Sequence, residues 1–353
     1  MSNIWDIDPN FKVNTTLEET DIRFFNIKKH PELLFGLMFD EERFRRMPEA
    51  LGEAINKNVL SLSKNTSGGR LRFITDSPYI AISVKMSRNC LFAHMAQTGV
   101  SGFDLYVDGI FRETFFPSVP IEGGYDRIAY LKGEDKKRQI LMHFPLYNYV
   151  EELYVGVKEG SCVEVAPAYA YEKPMVFYGS SITQGGCVSR GGLAYPAYIS
   201  RWYDCDFINL GFSGNGKGEL CMAEHIASLD PLVFVLDYDH NARDAEFLAN
   251  THGAFFKRFR ELRPDTPVVM VSCPDLRFRS ARIECREVIR RTYEEALAAG
   301  DQNVRFVDGE TLWDGEDWDS CTVDNCHPND LGHYRMAKVI GPVVKELLDK
   351  HQS

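Results

Sequence analysis

The sequence predicts an α/β chain of two domains, a β-sandwich followed by a three-layer α/β/α domain built on a five-stranded parallel sheet. Its 353 residues exceed the usual span of one domain, and 44% hydrophobic with 26% charged residues is ordinary globular composition. From about Leu71 to Val157, short runs alternate apolar and polar residues between turn residues, which is sandwich grammar. After VEVAPAYAYEKP, apolar runs alternate instead with helical patterns, the mark of parallel strands joined by crossover helices. The boundary is expected near Ala170 to Lys173, with residues 1–171 in the first domain and 172–353 in the second.

Residues 1–60 form an irregular lead-in with one helix expected around Glu41 to Ile55, and the sequence leaves open where it packs. The sandwich strands are expected within LRFITD, YIAISVKM, FDLYVDG, RQILMHF and ELYVGV. In the second domain the strands are expected at Met175 to Tyr178, Phe207 to Leu210, Val233 to Leu236, Val268 to Val271 and Val304 to Val307. Each is nearly all apolar, as a strand covered on both faces must be. Tyr195, Tyr198, Ile199 and Trp202 recur at helical spacing, as do Met336, Val339, Ile340 and Val343, and both stripes are expected to face the core.

A net charge of -11 opposes binding to nucleic acid or anionic membrane, because phosphate recognition needs a basic footprint. The N-terminal MSNIWDIDPN lacks the basic segment and apolar run of a secretory signal, and no apolar stretch approaches the roughly 18 residues of a membrane span. A cytoplasmic protein with neither partner is expected. The nine cysteines contain no C-x-x-C pair, which argues against a zinc cluster or disulfide scaffold and for thiols kept reduced in apolar surroundings such as VVMVSCP.

In parallel sheets functional groups gather at the carboxyl ends of the strands, here the loops after Tyr178, Leu210, Leu236 and Val307. The first runs into FYGSSITQGG, where Ser181 on a sharp turn would expose its oxygen as a nucleophile. The second ends NLGFSGNG, where Gly214 lets the backbone aim an N–H at a substrate. The third continues LDYDHNA, where the Asn241 amide would donate to an oxyanion. The last strand is followed by DNCHPND, whose Asp324 and His327 share one turn stiffened by Pro328. A carboxylate on one imidazole nitrogen fixes the tautomer and leaves the other to take the serine proton. Read singly, each block also has a plain alternative: an ordinary loop, a βα turn, a helix cap and a surface histidine.

Together the four blocks resemble the SGNH/GDSL hydrolase family, whose blocks centre on a serine, a glycine, an asparagine and a histidine with aspartate three residues earlier. The likeness runs from about Pro174 to Leu348. It implies a flavodoxin-like domain with Ser181, Asp324 and His327 as triad, and an oxyanion hole made by Ser181, Gly214 and Asn241. Two departures stand out: Gly179-Ser180-Ser181 replaces the usual Gly-Asp-Ser, and Asp239-His240-Asn241-Ala242 replaces Gly-x-Asn-Asp. The first raises Ser180 as a rival nucleophile, but Ile182, Thr183 and Gly185 align with the family block only when Ser181 takes that role. Asp237, Asp239 and His240 complete no ligand set, so neither metal nor cofactor is expected.

SGFDLYVDG, from Ser101 to Gly109, resembles the G-x-D-L-Y signature of a sandwich domain that precedes SGNH domains in a bacterial subfamily of acyl esterases, and FPLYNYVEELYVGV fits that arrangement. This likeness implies a jelly-roll-like accessory domain. By themselves Asp104 and Tyr106 show only strand alternation, with a structural role or a substrate-binding edge as the alternatives. Similar two-domain enzymes include carbohydrate esterases that remove acetyl groups from sugars. The expected reaction is hydrolysis of short-chain acyl esters through an acyl-enzyme, on a small molecule or oligosaccharide, with a homo-oligomer compatible with the composition. Trp313 and Trp318, just before Asp324, are candidates to stack on a sugar ring or to pack in the core. The rival readings are a lysophospholipase or thioesterase, and a carbohydrate-binding protein with a relic catalytic domain.

Overall fold

The computed structural model describes residues 13, 15–131, 136–274 and 280–350, so MSNIWDIDPN lies outside the described part. Its contacts divide the chain into two units. The first comprises the residues up to Met47, Lys64–Ala168 and Ser189–Gly192; the second comprises Pro48–Ser63, Tyr169–Val188 and the chain from Leu193 onward.

The lead-in contributes β1 (Ile22–Asn26), β2 (Leu34–Phe35), β3 (Met38–Phe39) and β4 (Phe44–Arg45) to the first unit. It then forms α1 (Glu49–Ile55) and α2 (Lys57–Ser63), which belong to the second unit. The helix expected from Glu41 therefore begins only at Glu49. Phe44 and Arg45 pair instead with Phe39 and Met38, and Pro48, the residue that precedes the helix, disfavours helical backbone in Met47 before it.

The remaining strands of the first unit are β5 (Arg70–Thr75), β6 (Tyr79–Lys85), β7 (Phe103–Val107), β8 (Ile110–Phe115), β9 (Gly124–Tyr130), β10 (Arg138–His143), β11 (Glu152–Lys158) and β12 (Glu164–Val165), with the short α3 (Gln97–Ser101) before β7. They form two antiparallel sheets, one ordered β1-β11-β6-β9 and the other β12-β5-β10-β7-β8 with β2 on β5. The alternation read from the sequence points one set of residues inward from each sheet: Leu153, Val155 and Val157 from β11, Ile140 and Met142 from β10, and Phe103 and Leu105 from β7 share one core. This is the predicted β-sandwich.

Asp104 and Tyr106 have a clear structural task in this unit. The Asp104 carboxylate, fully buried, accepts from Gly192 N at 2.7 Å, from Arg190 Nη1 at 3.3 Å and from Thr114 Oγ1 at 3.1 Å. Arg190 Nη1 also donates to Tyr106 Oη at 2.6 Å, and its guanidinium lies 3.7 Å from the Phe111 ring centroid. A Cβ at Gly192 would lie 2.5 Å from Tyr106 Oη and 3.0 Å from Asp104 Oδ2, so a larger residue here would push on the clasp itself. The G-x-D-L-Y strand thus clasps Ser189–Gly192.

In the second unit, β13 (Met175–Gly179) is followed by α4 (Ser181–Gln184), α5 (Tyr195–Tyr203), β14 (Phe207–Gly211), α6 (Leu220–Ser228), β15 (Val233–Asp237), α7 (Ala245–Leu262), β16 (Val268–Val271), α8 (Ser280–Ala298), β17 (Val304–Val307) and α9 (Asp330–Lys350). The five strands are parallel in the order β14-β13-β15-β16-β17. Every residue of β13, β15 and β16 is buried, whereas the edge strands β14 and β17 are partly exposed, as their positions require. Met175, Phe177, Val233 and Val235 pack with Ile199 of α5 and Met336 and Ile340 of α9. On the other face Tyr178 stacks on Phe255, and Phe234 packs on Phe259, both of α7. These are the expected three layers. Trp202 departs from its expected core role: it is 39% exposed and meets Tyr198 and Tyr334 at the surface.

Asp104→Ala should lower the free energy of unfolding by about 3 kcal/mol, the cost of leaving a largely buried guanidinium without its partner. Urea denaturation checks this, and an unchanged midpoint would show that the clasp contributes nothing to stability.

Candidate active site

With β14 and β15 on opposite sides of β13, the chain reverses direction at β13, and the crevice at such a switch point is where an open α/β sheet holds its ligands. β13 ends at Gly179, aligned with Gly211 of β14 and Asp237 of β15. Ser180 caps α4, its hydroxyl accepting from Ile182 N at 3.1 Å, and Ser181 is the first helical residue. Gly185, with φ of +101°, ends the helix after one turn, and Gly185 N and Gly186 N both donate to Ser181 O, at 3.1 and 2.7 Å. This turn is seated too tightly for side chains on its neighbours. A Cβ on Gly179 would lie 2.0 Å from Thr183 Oγ1 and 2.2 Å from Asp237 O, and one on Gly211 would lie 2.2 Å from Gln184 N.

Ser181 Oγ lies 3.0 Å from His327 Nε2, and His327 Nδ1 lies 2.8 Å from Asp324 Oδ2. Since a carboxylate can only accept, Nδ1 carries the hydrogen and Nε2 presents its lone pair to the serine. Burial works to raise the Asp324 pKa, but donation from the His327 backbone N–H and ring, and from Cys326 N, holds the carboxyl below its ordinary value. The loop is shaped by Asn325 at φ +61° and closed by a hydrogen bond from Val323 N to His327 O at 2.9 Å. Ser181 retains 8% exposure while Ser180, its hydroxyl spent on the cap, has none.

Gly214 sits at φ +68° on the exposed loop after β14, and no hydrogen bond to its N–H is present among the described residues. That loop is tied to β13 and the Ser181 turn by Phe212 N donating to Gly179 O at 2.9 Å and Ser213 N to Gln184 Oε1 at 3.1 Å. Asn241 ends the turn Asp239–Asn241 after β15. Its amide nitrogen donates to Phe212 O at 3.0 Å and Gly216 O at 2.9 Å, on either side of Gly214. The structure therefore brings Ser181, His327 and Asp324 into one line of hydrogen bonds, and sets Asn241 against the Gly214 loop. Trp313 is buried, its indole N–H donating to Gly332 O at 3.3 Å, so it is a core residue and no platform for a sugar; Trp318 is half-buried.

This strand–turn–helix arrangement has relatives. Residues 172–345 match the GDSL-like lipase/acylhydrolase family, and residues 22–163 match the GxDLY domain, the N-terminus of SGNH-hydrolase-type esterases. The chain belongs to the SGNH/GDSL acylhydrolases. A solved structure described as a GDSL-like lipase, from Bacteroides ovatus ATCC 8483, superposes with a TM-score of 0.83 at 29% identity, over 93% of this chain and 98% of that one. The salicylyl-acyltransferase SsfX3 from a tetracycline biosynthetic pathway gives 0.76 at 21% identity over 93% and 98%. An acetyl xylan esterase from the rumen bacterium Butyrivibrio proteoclasticus gives 0.58 at 13% identity over 93% and 99%. The last two share its fold. No curated protein matches the chain by sequence. The chain is an SGNH-type ester hydrolase.

Around the blocks of this SGNH/GDSL hydrolase lie Asn209 and Arg282, which reading the blocks alone passes over, and Asp237 and Asp239, read there only as an incomplete ligand set. Asn209 Nδ2 donates to Thr183 O at 2.7 Å, and its Oδ1 accepts from Gly211 N at 2.9 Å. Arg282 Nη1 donates to Asp239 O and Ala242 O, at 2.8 and 3.0 Å, clamping the turn that carries Asn241. Asp239 Oδ2 accepts from Cys273 N at 2.9 Å, and Asp237 Oδ2 from Tyr195 Oη and Thr183 Oγ1. The available signal was a polar residue inside an apolar strand, Asn209 in FINLG and Asp237 in VFVLD, since a buried polar group persists only where it finds partners.

The glycines separate two constraints. Gly214→Ala meets no atom within 4 Å and should cost only about 1 kcal/mol for its left-handed backbone. Gly211→Ala drives a methyl into the backbone of α4 and should cost about 3 kcal/mol, at the upper end for overpacking. Equal losses in urea melts of the two variants would contradict the tight seating of the turn.

Proposed function

We propose that this hydrolase is a serine esterase releasing short acyl groups, acetyl foremost, from a carbohydrate, with Ser181 as nucleophile, His327 as general base and acid, and Asp324 as the carboxylate that orients it. The observation that carries this reading is the line Ser181 Oγ, His327, Asp324, at 3.0 and 2.8 Å. Ser181 Oγ attacks the ester carbonyl while its proton passes to His327 Nε2, and the imidazolium is held by Asp324. Collapse of the tetrahedral intermediate expels the alcohol, which takes that proton. Water, deprotonated by His327, then attacks the acyl-enzyme, and His327 returns that proton to Ser181 Oγ as the acid leaves.

The oxyanion is assigned to the Ser181 and Gly214 N–H groups and the Asn241 amide. The left-handed Gly214, whose N–H has no acceptor among the described residues, supports its part. Asn241 contributes by turning one of its two hydrogens from Phe212 O or Gly216 O. Only the short GGCVSRGGLA stretch joins α4 to α5, which favours short acyl groups over long ones. The choice of a sugar as the leaving alcohol rests on the fold shared with the acetyl xylan esterase and with a family two carbohydrate esterase solved with cellohexaose. No helix among the described residues is long and apolar enough to cross a membrane, and the cytoplasm is the proposed location on the character of the sequence.

Ser181→Ala should abolish hydrolysis of p-nitrophenyl acetate, and the wild-type rate should fall from acetyl to decanoyl esters. A fully active variant would remove Ser181 from the mechanism, and a rate rising with chain length would replace the acetyl reading by a lysophospholipase or thioesterase. Asn241→Ala should lower kcat by about 100- to 1,000-fold, as loss of an oxyanion donor does. A near-neutral kcat would leave Asn241 only as a brace for the Gly214 loop.

A further inference from the structure

We propose that Asp237 is a positioning residue for the nucleophile: from the end of β15 its buried carboxyl ties Thr183 of α4 to Tyr195 of α5 behind Ser181, and so sets the direction in which Ser181 Oγ leaves its turn. This rests on Ser181 being the nucleophile.

α4 has one turn and cannot hold itself by its own hydrogen bonds, because a single turn fixes more backbone freedom than its bonds repay. Its orientation has to come from what it touches. Asp237 is 1% exposed, in a strand otherwise made of valine, phenylalanine and leucine, where an apolar side chain would suit burial better. Its Oδ2 accepts from Tyr195 Oη at 2.8 Å and from Thr183 Oγ1 at 3.0 Å. Thr183 lies two residues beyond Ser181 on the same turn, so the second bond fixes the rotation of α4.

The network returns to the nucleophile by a second route. Tyr195 N donates to His333 Nδ1 at 3.3 Å. A backbone N–H only donates, so Nδ1 accepts and the hydrogen of the neutral ring sits on Nε2. Burial pushes the His333 pKa down to about 4, consistent with that neutral ring. Nε2 then donates to Gly186 O at 3.2 Å, and Gly186 N donates to Ser181 O at 2.7 Å. Asp237, Tyr195, His333 and Gly186 are thus joined to the turn at two points, Thr183 Oγ1 and Ser181 O.

The groups that face Asp237 are Thr183 and Tyr195 on the helices and Asp239 on the following turn. Burial first, and the neighbouring Asp239 second, push the Asp237 pKa up to about 8. Both bonds enter Oδ2 as an acceptor, and the amide oxygen of asparagine offers that acceptor in the same shape.

The test uses Asp237→Ala, Asp237→Asn and Thr183→Val in the full chain, with circular dichroism to verify folding. It reads kcat and KM on p-nitrophenyl acetate and the rate at which a fluorophosphonate labels Ser181. Asp237→Ala should lower kcat and the labelling rate together by about 10- to 100-fold, the scale of a misplaced reacting group, with KM little changed. Asp237→Asn should restore most of kcat, and Thr183→Val should fall in the same sense as Asp237→Ala. A folded Asp237→Ala with wild-type kcat, or an Asp237→Asn as impaired as the alanine variant, overturns the proposal. Should Asp237→Ala fail to fold, Thr183→Val decides alone: unchanged kcat and labelling overturn the proposal. Loss of activity in Ser181→Ala beside full activity in these variants sinks this proposal alone, whereas an active Ser181→Ala sinks the reading beneath it.

Discussion

In the proposed mechanism, the chemistry of this hydrolase depends on how closely one helical turn is seated between the ends of two strands. Gly179 and Gly211 leave no room for a methyl, and that lack of room lets Thr183 reach the end of β15 and Gln184 press on β14. Ser181 is presented by packing, since its short helix has too few internal bonds to define a direction. That seating places Ser181 Oγ 3.0 Å from His327 Nε2, whose ring reaches Asp324 at 2.8 Å. Preorganised polar groups stabilise developing charge most when no reorganisation accompanies the reaction, and the seating of α4 meets that condition.

Much of this was legible in the residues. Val268–Val271 has the expected bounds because a strand covered on both faces writes an unbroken apolar run, and the edge strand Val304–Val307 keeps its bounds although Arg305 breaks the run. The three strands bearing the first three blocks each extend one residue further, to Gly179, Gly211 and Asp237. Those residues escaped a reading based on hydrophobicity because glycine carries no apolar signal and aspartate carries the opposite one. The proximity of Ser181 to His327 is a tertiary fact, reached through four blocks taken together, since no local pattern joins residues so far apart in the chain. Trp202 was misplaced because helical spacing reports a face without saying how wide the covering layer is, and α9 covers Tyr195 and Ile199 but leaves Trp202 at the rim. Trp313 shows the reverse: an aromatic side chain near a catalytic loop is as readily spent on the core.

The two departures from the usual blocks find structural employment. Ser180, standing where the family has aspartate, supplies the cap of α4 through its hydroxyl. Asp239, standing where the family has glycine, accepts from Cys273 N beyond β16, while Arg282 gathers the carbonyls of the same turn. Burial pushes the Asp239 carboxyl up to about 6, partly offset by those donors. Each replacement brings its own partners, which is how a buried polar residue is tolerated in a packed interior.

The clasp made by Asp104, Tyr106 and Arg190 bears on how such a gene could be cut. Ser189–Gly192 is counted with the sandwich although the residues before and after it belong to the catalytic unit, and Pro48–Ser63 is counted with the catalytic unit although it lies within the sandwich segment. A fragment beginning at residue 172 would carry Arg190 without the Asp104 and Tyr106 it bonds, and would lack two helices of its own unit. In genetic terms the halves are interleaved, so they are inherited, exchanged and engineered most safely as one reading frame.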